Sequence, residues 1–312
     1  MRECGLCGGP QRLLHRGQAG ALRPDDFVPT CHRPGAHGDL HRCERCGTVS
    51  QAGVPRGRAL LDLYREMEDG DYLREEAGRR ATARRLLDLV ERHAQGHGRL
   101  LDVGCGHGLL LDEARARGWD VLGLEPSVAA RRHAKEALKL PVRDATLAGL
   151  EAGERFDAIV MADVLEHVDD PGLELRRCAA ALAPGGVACV VTPDPGSRTA
   201  RMAGAAWWGY LPAHTHLLPR RTLLEAMRRS GLEPLVDVGL RRTFTLRTWA
   251  GGLGERGGAL GGAVRLAQRV PLMGLPLTLS LGDERVVVAS VQPRAQAAQL
   301  GLELVADGRV DR

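Results

Sequence analysis

Residues 100–111, Leu-Leu-Asp-Val-Gly-Cys-Gly-His-Gly-Leu-Leu-Leu, constrain the fold more than any other stretch of the chain. An apolar run ends at Asp102 and Val103, glycines follow at 104, 106 and 108, and a helical pattern starts at once. A buried strand stops here, the backbone turns tightly where side chains would clash, and the next helix presents free N–H groups to a crevice. Such a turn accepts a nucleoside-bearing ligand at close range.

The sequence around the turn alternates strand and helix patterns over residues 99–192. Leu100–Val103 reads as a strand and Leu109–Arg117 as a helix ended by Gly118. Asp120–Leu124 is a second strand, stopped by Glu125-Pro126-Ser127, with Ser127 placed to cap the next helix. Pro141-Val142 is a short third strand. Phe156–Ala162 is a fourth, apolar throughout as a strand buried on both faces should be. Asp170-Pro171 opens a helix through Leu182, and Ala183-Pro184-Gly185-Gly186 turns into a strand at Val187–Thr192. Later come a helix at Arg221–Ser230 and strands at Glu233–Leu240 and Glu284–Val291. The fold class is α/β, a Rossmann-like doubly wound sheet.

At 312 residues the chain is long enough for two or three units. Residues 1–52 read as a zinc-ribbon-like module, 53–96 as a helical connector broken near Asp69-Gly70-Asp71, 97–295 as the α/β domain with a glycine-rich insertion at about 244–282, and 296–312 as a loosely ordered tail. In the first module Cys4-Gly5-Leu6-Cys7 and Cys43-Glu44-Arg45-Cys46 are each followed by glycine. Two such knuckles offer four thiolates for one tetrahedral zinc ion, which leaves no open position for a substrate, so the zinc would be structural. The 35 intervening residues exceed the usual ribbon spacing, and Cys31, His32, His37 and His41 within them are substitute ligands.

The formal charge is +4 on 43 basic and 39 acidic residues, which implies no polyanionic partner and no nucleic acid. Met1-Arg2-Glu3-Cys4 does not open an apolar signal segment. The most apolar late stretch, 259–281, contains Arg265, Arg269, Pro271 and Pro276, which argues against a membrane span. A cytoplasmic location is expected, where eight cysteines serve as metal ligands or buried thiols and not as disulfides.

A dinucleotide fingerprint requires G-x-G-x-x-G, whereas the glycines here read G-x-G-x-G. Leu-Leu-Asp-Val-Gly-Cys-Gly-His-Gly resembles the first motif of class I S-adenosylmethionine-dependent methyltransferases. Phe156–Val168 resembles their fourth-strand motif, and Leu182-Ala183-Pro184-Gly185-Gly186 the turn before their fifth strand. More narrowly, the chain is similar to bacterial methyltransferases with an N-terminal CxxC…CxxC module and a Trp-rich Pro-x-His loop, here Pro212-Ala213-His214. Sugar C-methyltransferases and ubiquinone-type O-methyltransferases are relatives. The resemblance covers roughly residues 1–240 and 284–291. It implies a seven-stranded sheet whose last strand is antiparallel, a segment that Val286-Val287-Val288-Ala289 supplies.

Carried over by position, the resemblance implies that Gly104, Gly106 and Gly108 let the backbone lie against the methionine moiety of S-adenosylmethionine, with Cys105 a small filler in that cofactor-binding turn. Asp102 would orient the turn and the ligand's amino group, and Glu125 would bind the ribose. Asp144 would sit near the adenine amino group or else form a surface pair with Arg143. Asp163 would face the methionine end. His107 stands where relatives often carry a small or hydroxyl residue, and its contact with the cofactor's carboxylate is open.

Methyl transfer is an in-line displacement, so the protein chiefly aligns the acceptor and excludes water. An oxygen or nitrogen acceptor also needs a base, for which histidine is suited. His214, in the loop that roofs the acceptor, and His167, after the fourth strand, are the catalytic candidates. His167 alternatively holds that loop by a hydrogen bond, and His214 alternatively binds substrate. His216 ranks behind them. Trp207, Trp208 and Tyr210 either line the acceptor or anchor the core, and Tyr64 and Tyr72 either close over a ligand or pack against the next domain. The expected partner is a small-molecule acceptor of sugar, polyketide or quinone type, methylated on oxygen or carbon; the sequence does not name the atom or the oligomeric state. Two alternatives stand beside this reading: an NAD(P)-dependent oxidoreductase, and a non-catalytic zinc-ribbon interaction protein with a vestigial cofactor fold.

Overall fold

The computed structural model describes residues 2–17, 22–28, 37–254 and 271–291. Cys31, His32, the middle of the insertion and the tail beyond 291 lie outside these residues. Four strands come first: β1 (Arg2–Glu3), β2 (Pro10–His15), β3 (Leu40–Cys43) and β4 (Val49–Gln51). The connector follows as α1 (Arg58–Glu66), a 3-10 turn at Tyr72–Glu75 and α2 (Glu76–Glu91).

The α/β part then runs β5 (Arg99–Val103), α3 (Leu109–Ala116), β6 (Asp120–Leu124), α4 (Val128–Glu136), β7 (Val142–Arg143), β8 (Phe156–Ala162), α5 (Pro171–Ala181) and β9 (Leu182–Pro193). After it come α6 (Arg198–Ala203), β10 (His216–Leu217), α7 (Arg220–Arg229), β11 (Leu232–Gly239), β12 (Arg242–Thr245), α8 (Leu246–Gly254), β13 (Pro276–Leu279) and β14 (Glu284–Val291). Ser127 caps α4 through the Ala130 N–H and Asp170 caps α5 through the Leu173 N–H, as the sequence predicts.

Seven strands form the main sheet in the order β11-β14-β9-β8-β5-β6-β7. The pairs β5–β6, β5–β8, β6–β7 and β8–β9 are parallel, and β14 is antiparallel to both β9 and β11. Alternation along the strands divides the core in two. Leu101, Val103, Ile159 and Met161 meet α5 and α7 on one face. Leu100, Val121, Ala158 and Val160 meet α2, α3 and α4 on the other. Burying each large aliphatic side chain contributes about 1.5–3 kcal/mol, which is why uninterrupted apolar strands lie at the centre.

From β5 the chain proceeds outward to β6 and β7, then returns to β8 on the opposite side of β5. The crevice of such a sheet opens at that reversal, beyond the carboxyl ends of the strands. Here those ends carry Gly104 and Asp163.

Two arrangements were not foreseen. The N-terminal strands form a five-stranded sheet in the order β1-β2-β3-β4-β10, whose last strand comes from the loop after the α/β core. β12, at the start of the insertion, pairs antiparallel with β13 inside it, and the pair docks on α2, where Arg85 donates to Thr243 Oγ1 at 2.8 Å and Thr278 Oγ1 at 3.1 Å. Among the described residues no helix is long and apolar enough to cross a membrane.

Candidate active site

All three glycines of the turn are left-handed: φ is +67° at Gly104, +52° at Gly106 and +85° at Gly108. A Cβ on Gly108 would meet Leu140 Cδ1 at 2.6 Å and Ala134 Cβ at 3.0 Å, so glycine here also lets α4 and its following loop pack down. Across the turn, buried Glu125 accepts from the N–H of Gly106 and the N–H of Ser127, both at 2.7 Å. Burial raises its carboxyl above the usual range, against the pull of those two N–H groups. Asp102 is buried beneath the turn, and burial together with Glu125 pushes it well up. Cys105 is buried with its Sγ against β6, at 2.6 Å from where a Cβ on Gly123 would stand. Its side chain is a core filler.

Asp144 lies at the half-exposed edge beyond β7, where Arg131 contacts it at 3.2 Å; Arg143 pairs instead with Glu154 at 2.9 Å. The connector covers the turn. Tyr72 stacks on His107 with centroids 4.4 Å apart and planes 13° from parallel, and the Arg79 guanidinium lies 3.8 Å from the Tyr72 ring centre. Burial and neighbouring His133 push the His107 imidazole down to about 4.

At the end of β8, Asp163 adopts a left-handed φ of +57°. Arg242 of β12 donates to its two oxygens at 2.7 and 2.8 Å and also binds Glu284 at 2.9 Å. Burial raises Asp163, but Arg242 outweighs it and brings the carboxyl below its ordinary range. Arg242 carries no signal in the sequence, because it lies 79 residues from its partner.

Next in the chain are Glu166 and His167. Glu166 is buried, accepts from Thr192 Oγ1 at 3.0 Å through one oxygen, and has no hydrogen-bond partner for the other among the described residues. Burial, then Asp163, pushes its carboxyl well above the usual range. His167 and His214 meet edge to face with ring centres 4.7 Å apart, and a ligand atom from each lies within 4.8 Å of a Glu166 oxygen. His167 Nδ1 is 2.6 Å from Tyr64 Oη and 3.2 Å from Ala213 O. His214 is buried, and its Nδ1 donates to Gly209 O at 2.7 Å. That bond assigns the proton of neutral His214 to Nδ1 and leaves a lone pair on Nε2. Burial pushes His167 down to about 3, with His214 adding to it, and His214 down to about 4.

The remaining candidates lie elsewhere. Trp207 and Tyr210 are buried anchors against Leu40, Val49 and Leu217. Trp207 and Trp208 both donate to buried Asp283, at 2.8 and 2.7 Å. His216 pairs with Ser50 in the N-terminal sheet. Tyr64 is the connector residue that bonds to a candidate base, His167. Glu166 and Arg242 are the site residues that sequence reasoning missed.

Beside this site lies a second cluster. The Sγ atoms of Cys4, Cys7, Cys43 and Cys46 all lie within 4.8 Å of one another, with Cys4–Cys46 at 3.7 Å and Cys7–Cys43 at 3.5 Å. Thiolates about 2.3 Å from a tetrahedral zinc ion stand about 3.8 Å apart, so the four side chains fit the metal. His37 Nδ1 instead bonds Gly38 O at 2.8 Å, and His41 Nδ1 is buried without a partner among the described residues.

A family model described as methyltransferase domain matches residues 74–236. The chain is similar to a ubiquinone biosynthesis O-methyltransferase of Cereibacter sphaeroides, 35% identical over 171 residues, or 51% of this chain and 68% of the relative. A ubiquinone biosynthesis O-methyltransferase of Nitrobacter winogradskyi is 46% identical over 99 residues, 30% of this chain and 38% of that one. Among solved structures, the N-methyltransferase NodS of Bradyrhizobium japonicum WM9 in complex with S-adenosyl-L-homocysteine is 16% identical, with 75% of this chain and 97% of that chain covered and a TM-score of 0.48.

Proposed function

Because the chain belongs to the class I S-adenosylmethionine-dependent methyltransferases, we propose that it methylates a ring-borne hydroxyl of a small, quinone-type acceptor, with His214 as the base. The observation that carries this reading is the pair of imidazoles beyond β8, buried His214 and half-buried His167. Val164, ahead of both imidazoles in the chain, packs on the glycine turn, where a Cβ on Gly104 would stand 2.9 Å from its Cγ2. Both stay unprotonated at neutral pH, and His214 is held in the tautomer whose Nε2 can take a proton. The names of the relatives support oxygen over carbon as the acceptor atom. Family membership displaces both the oxidoreductase and the vestigial reading.

The cradle fits the cofactor. Gly104, Gly106 and Gly108 remove the side chains that would fill it, and Asp102 lies beneath. A carboxylate offers about four lone-pair sites, so Glu125 can keep its two backbone bonds and still accept from ribose hydroxyls. Asp144 marks the adenine edge. Asp163, charged and clamped by Arg242, fixes the methionine end. Bound there, S-adenosylmethionine supplies a methyl group already activated on positively charged sulfur. The protein's own contribution is alignment, exclusion of water and uptake of the acceptor's hydroxyl proton at His214 Nε2. His167, bonded to Tyr64, holds the roof loop through Ala213. Cys4, Cys7, Cys43 and Cys46 would hold a structural zinc ion.

The test is calorimetric binding of S-adenosylmethionine, S-adenosylhomocysteine and NAD, followed by a screen of catechols and hydroquinones for release of S-adenosylhomocysteine. Both sulfur ligands should bind and NAD should not. His214→Ala should lower turnover by about 10²–10⁴-fold with cofactor affinity within twofold of wild type. Near-wild-type turnover would remove His214 from the mechanism.

A further inference from the structure

The roof loop that carries His214 is held from two sides. On the α/β side, Thr215 donates its N–H to Glu166 O at 2.8 Å, and its hydroxyl lies 3.0 Å from Glu166 O and 2.8 Å from Val168 O. On the other side stands Gln51, at the end of β4 in the cysteine module and only 6% exposed. Its side-chain Nε2 lies 2.6 Å from Pro212 O, 3.2 Å from His214 O and 3.4 Å from Leu211 O. Its Oε1 accepts from Gly38 N at 2.8 Å, and its backbone N–H donates to Thr215 O at 3.0 Å. One amide thus gathers the carbonyls of three of the four residues 211–214 into a single point.

Gln51 is also tied to the cysteine knuckle. Thr48, fully buried, accepts through its carbonyl from Cys43 N at 2.9 Å, and its hydroxyl lies 3.1 Å from Cys46 Sγ. The strand that begins there pairs Val49 with Leu217 and Ser50 with His216. Thr222 of α7 donates to Cys46 O. The knuckle, β4 and the roof loop therefore form one hydrogen-bonded path, and the glycine turn with Glu125 takes no part in it.

We propose that Gln51 is a positioning residue for methyl transfer: its amide, anchored in the cysteine module, fixes the backbone of residues 211–214 and thereby aims His214 at the acceptor. The N-terminal module is on this account a working half of the acceptor site, independent of the cofactor half. The inference rests on the acceptor-site reading above, but the two fail differently. If His214 is not the base, His214→Ala stays active; if Gln51 does not position it, the His214 ring does not respond to a change at 51.

The test replaces Gln51 by methionine, which keeps the volume and removes the amide, in full-length protein with labelled histidine. The His214 resonance among the 11 histidines is assigned by difference against His214→Ala. With the clamp gone the loop admits water, so the His214 titration midpoint should rise from about 4 by at least one unit, while affinity for S-adenosylhomocysteine stays within twofold. An unchanged midpoint overturns the proposal. So does a midpoint that moves together with a cofactor affinity more than tenfold weaker, because that is general loosening. Should Gln51→Met not fold, Gln51→Glu, of the same shape but without the N–H donor, is read by the same criteria.

Discussion

The imidazole of His214 donates from one nitrogen to a backbone carbonyl and keeps a lone pair on the other, and burial decides its protonation state. Desolvation disfavours the charged ring, so the neutral form persists down to about pH 4 instead of giving way near the ordinary histidine value of 6.5. If His214 is the base, the base is present above that point and lost as pH falls through it. With an acceptor found by screening, kcat/KM should stay flat on its acid side from pH 8 to about 5.5, then decline; an acid limb near 6.5 would show a solvated ring and refute the assignment. At this scale the sequence showed residue types better than their partners. Glu125 and His167 stand out in the sequence because each follows a strand end, and His214 because of the Pro-x-His resemblance. Arg242 was not, since nothing local marks an arginine that neutralises both Asp163 and Glu284 from a different strand.

Among the elements, the turn between β5 and α3 depends most strictly on residue type. Gly108 has two reasons to be glycine, a φ of +85° and the approach of Leu140 and Ala134. Gly118, after α3, has only the first: its φ is +95° and nothing lies within 4 Å of an added Cβ. Gly118→Ala should therefore cost only the left-handed conformation, about 1–2 kcal/mol. Gly108→Ala should cost a further 1–3 kcal/mol, roughly, for overpacking, and should also weaken binding of S-adenosylmethionine. Thermal denaturation and calorimetry check both; equal losses of stability would mean that α4 yields without cost. The central strands were readable because strands buried on two faces are continuous apolar runs. β10 was not, because two residues carry no period, and its partner β4 lies more than 160 residues upstream. The start of β9 was read as a turn at 183–186, yet pairing begins at Leu182 opposite Phe156 and passes a register shift before Ala158. β12, at the start of the glycine-rich insertion, and β13, inside it, carry no such apolar run and are held by contacts with α2.

For the whole molecule, the consequence of β10 is that the two sheets are not independent. The cysteine module closes its sheet with a strand from the loop that carries His214, and Trp207 and Tyr210 of that loop pack against its Leu40 and Val49. Leu6 of the first knuckle packs against the main core, close to Gly172 of α5. Small metal sites of this kind commonly supply their fold with the binding energy of the ion. If the four thiolates hold zinc, its removal should be felt through the shared strand by the whole described fold, and not by a module that unfolds alone. Metal analysis should give one zinc per chain. The loaded protein should melt in one transition, and a strong chelator should shift that same transition down by about 10 °C or more, on the scale of several kcal/mol lost. Two separate transitions, with the second unmoved by chelation, would show that the sheets are thermodynamically independent despite β10. A protein that binds no zinc and melts unchanged would leave the four cysteines as a buried thiol cluster and remove the metal from the argument.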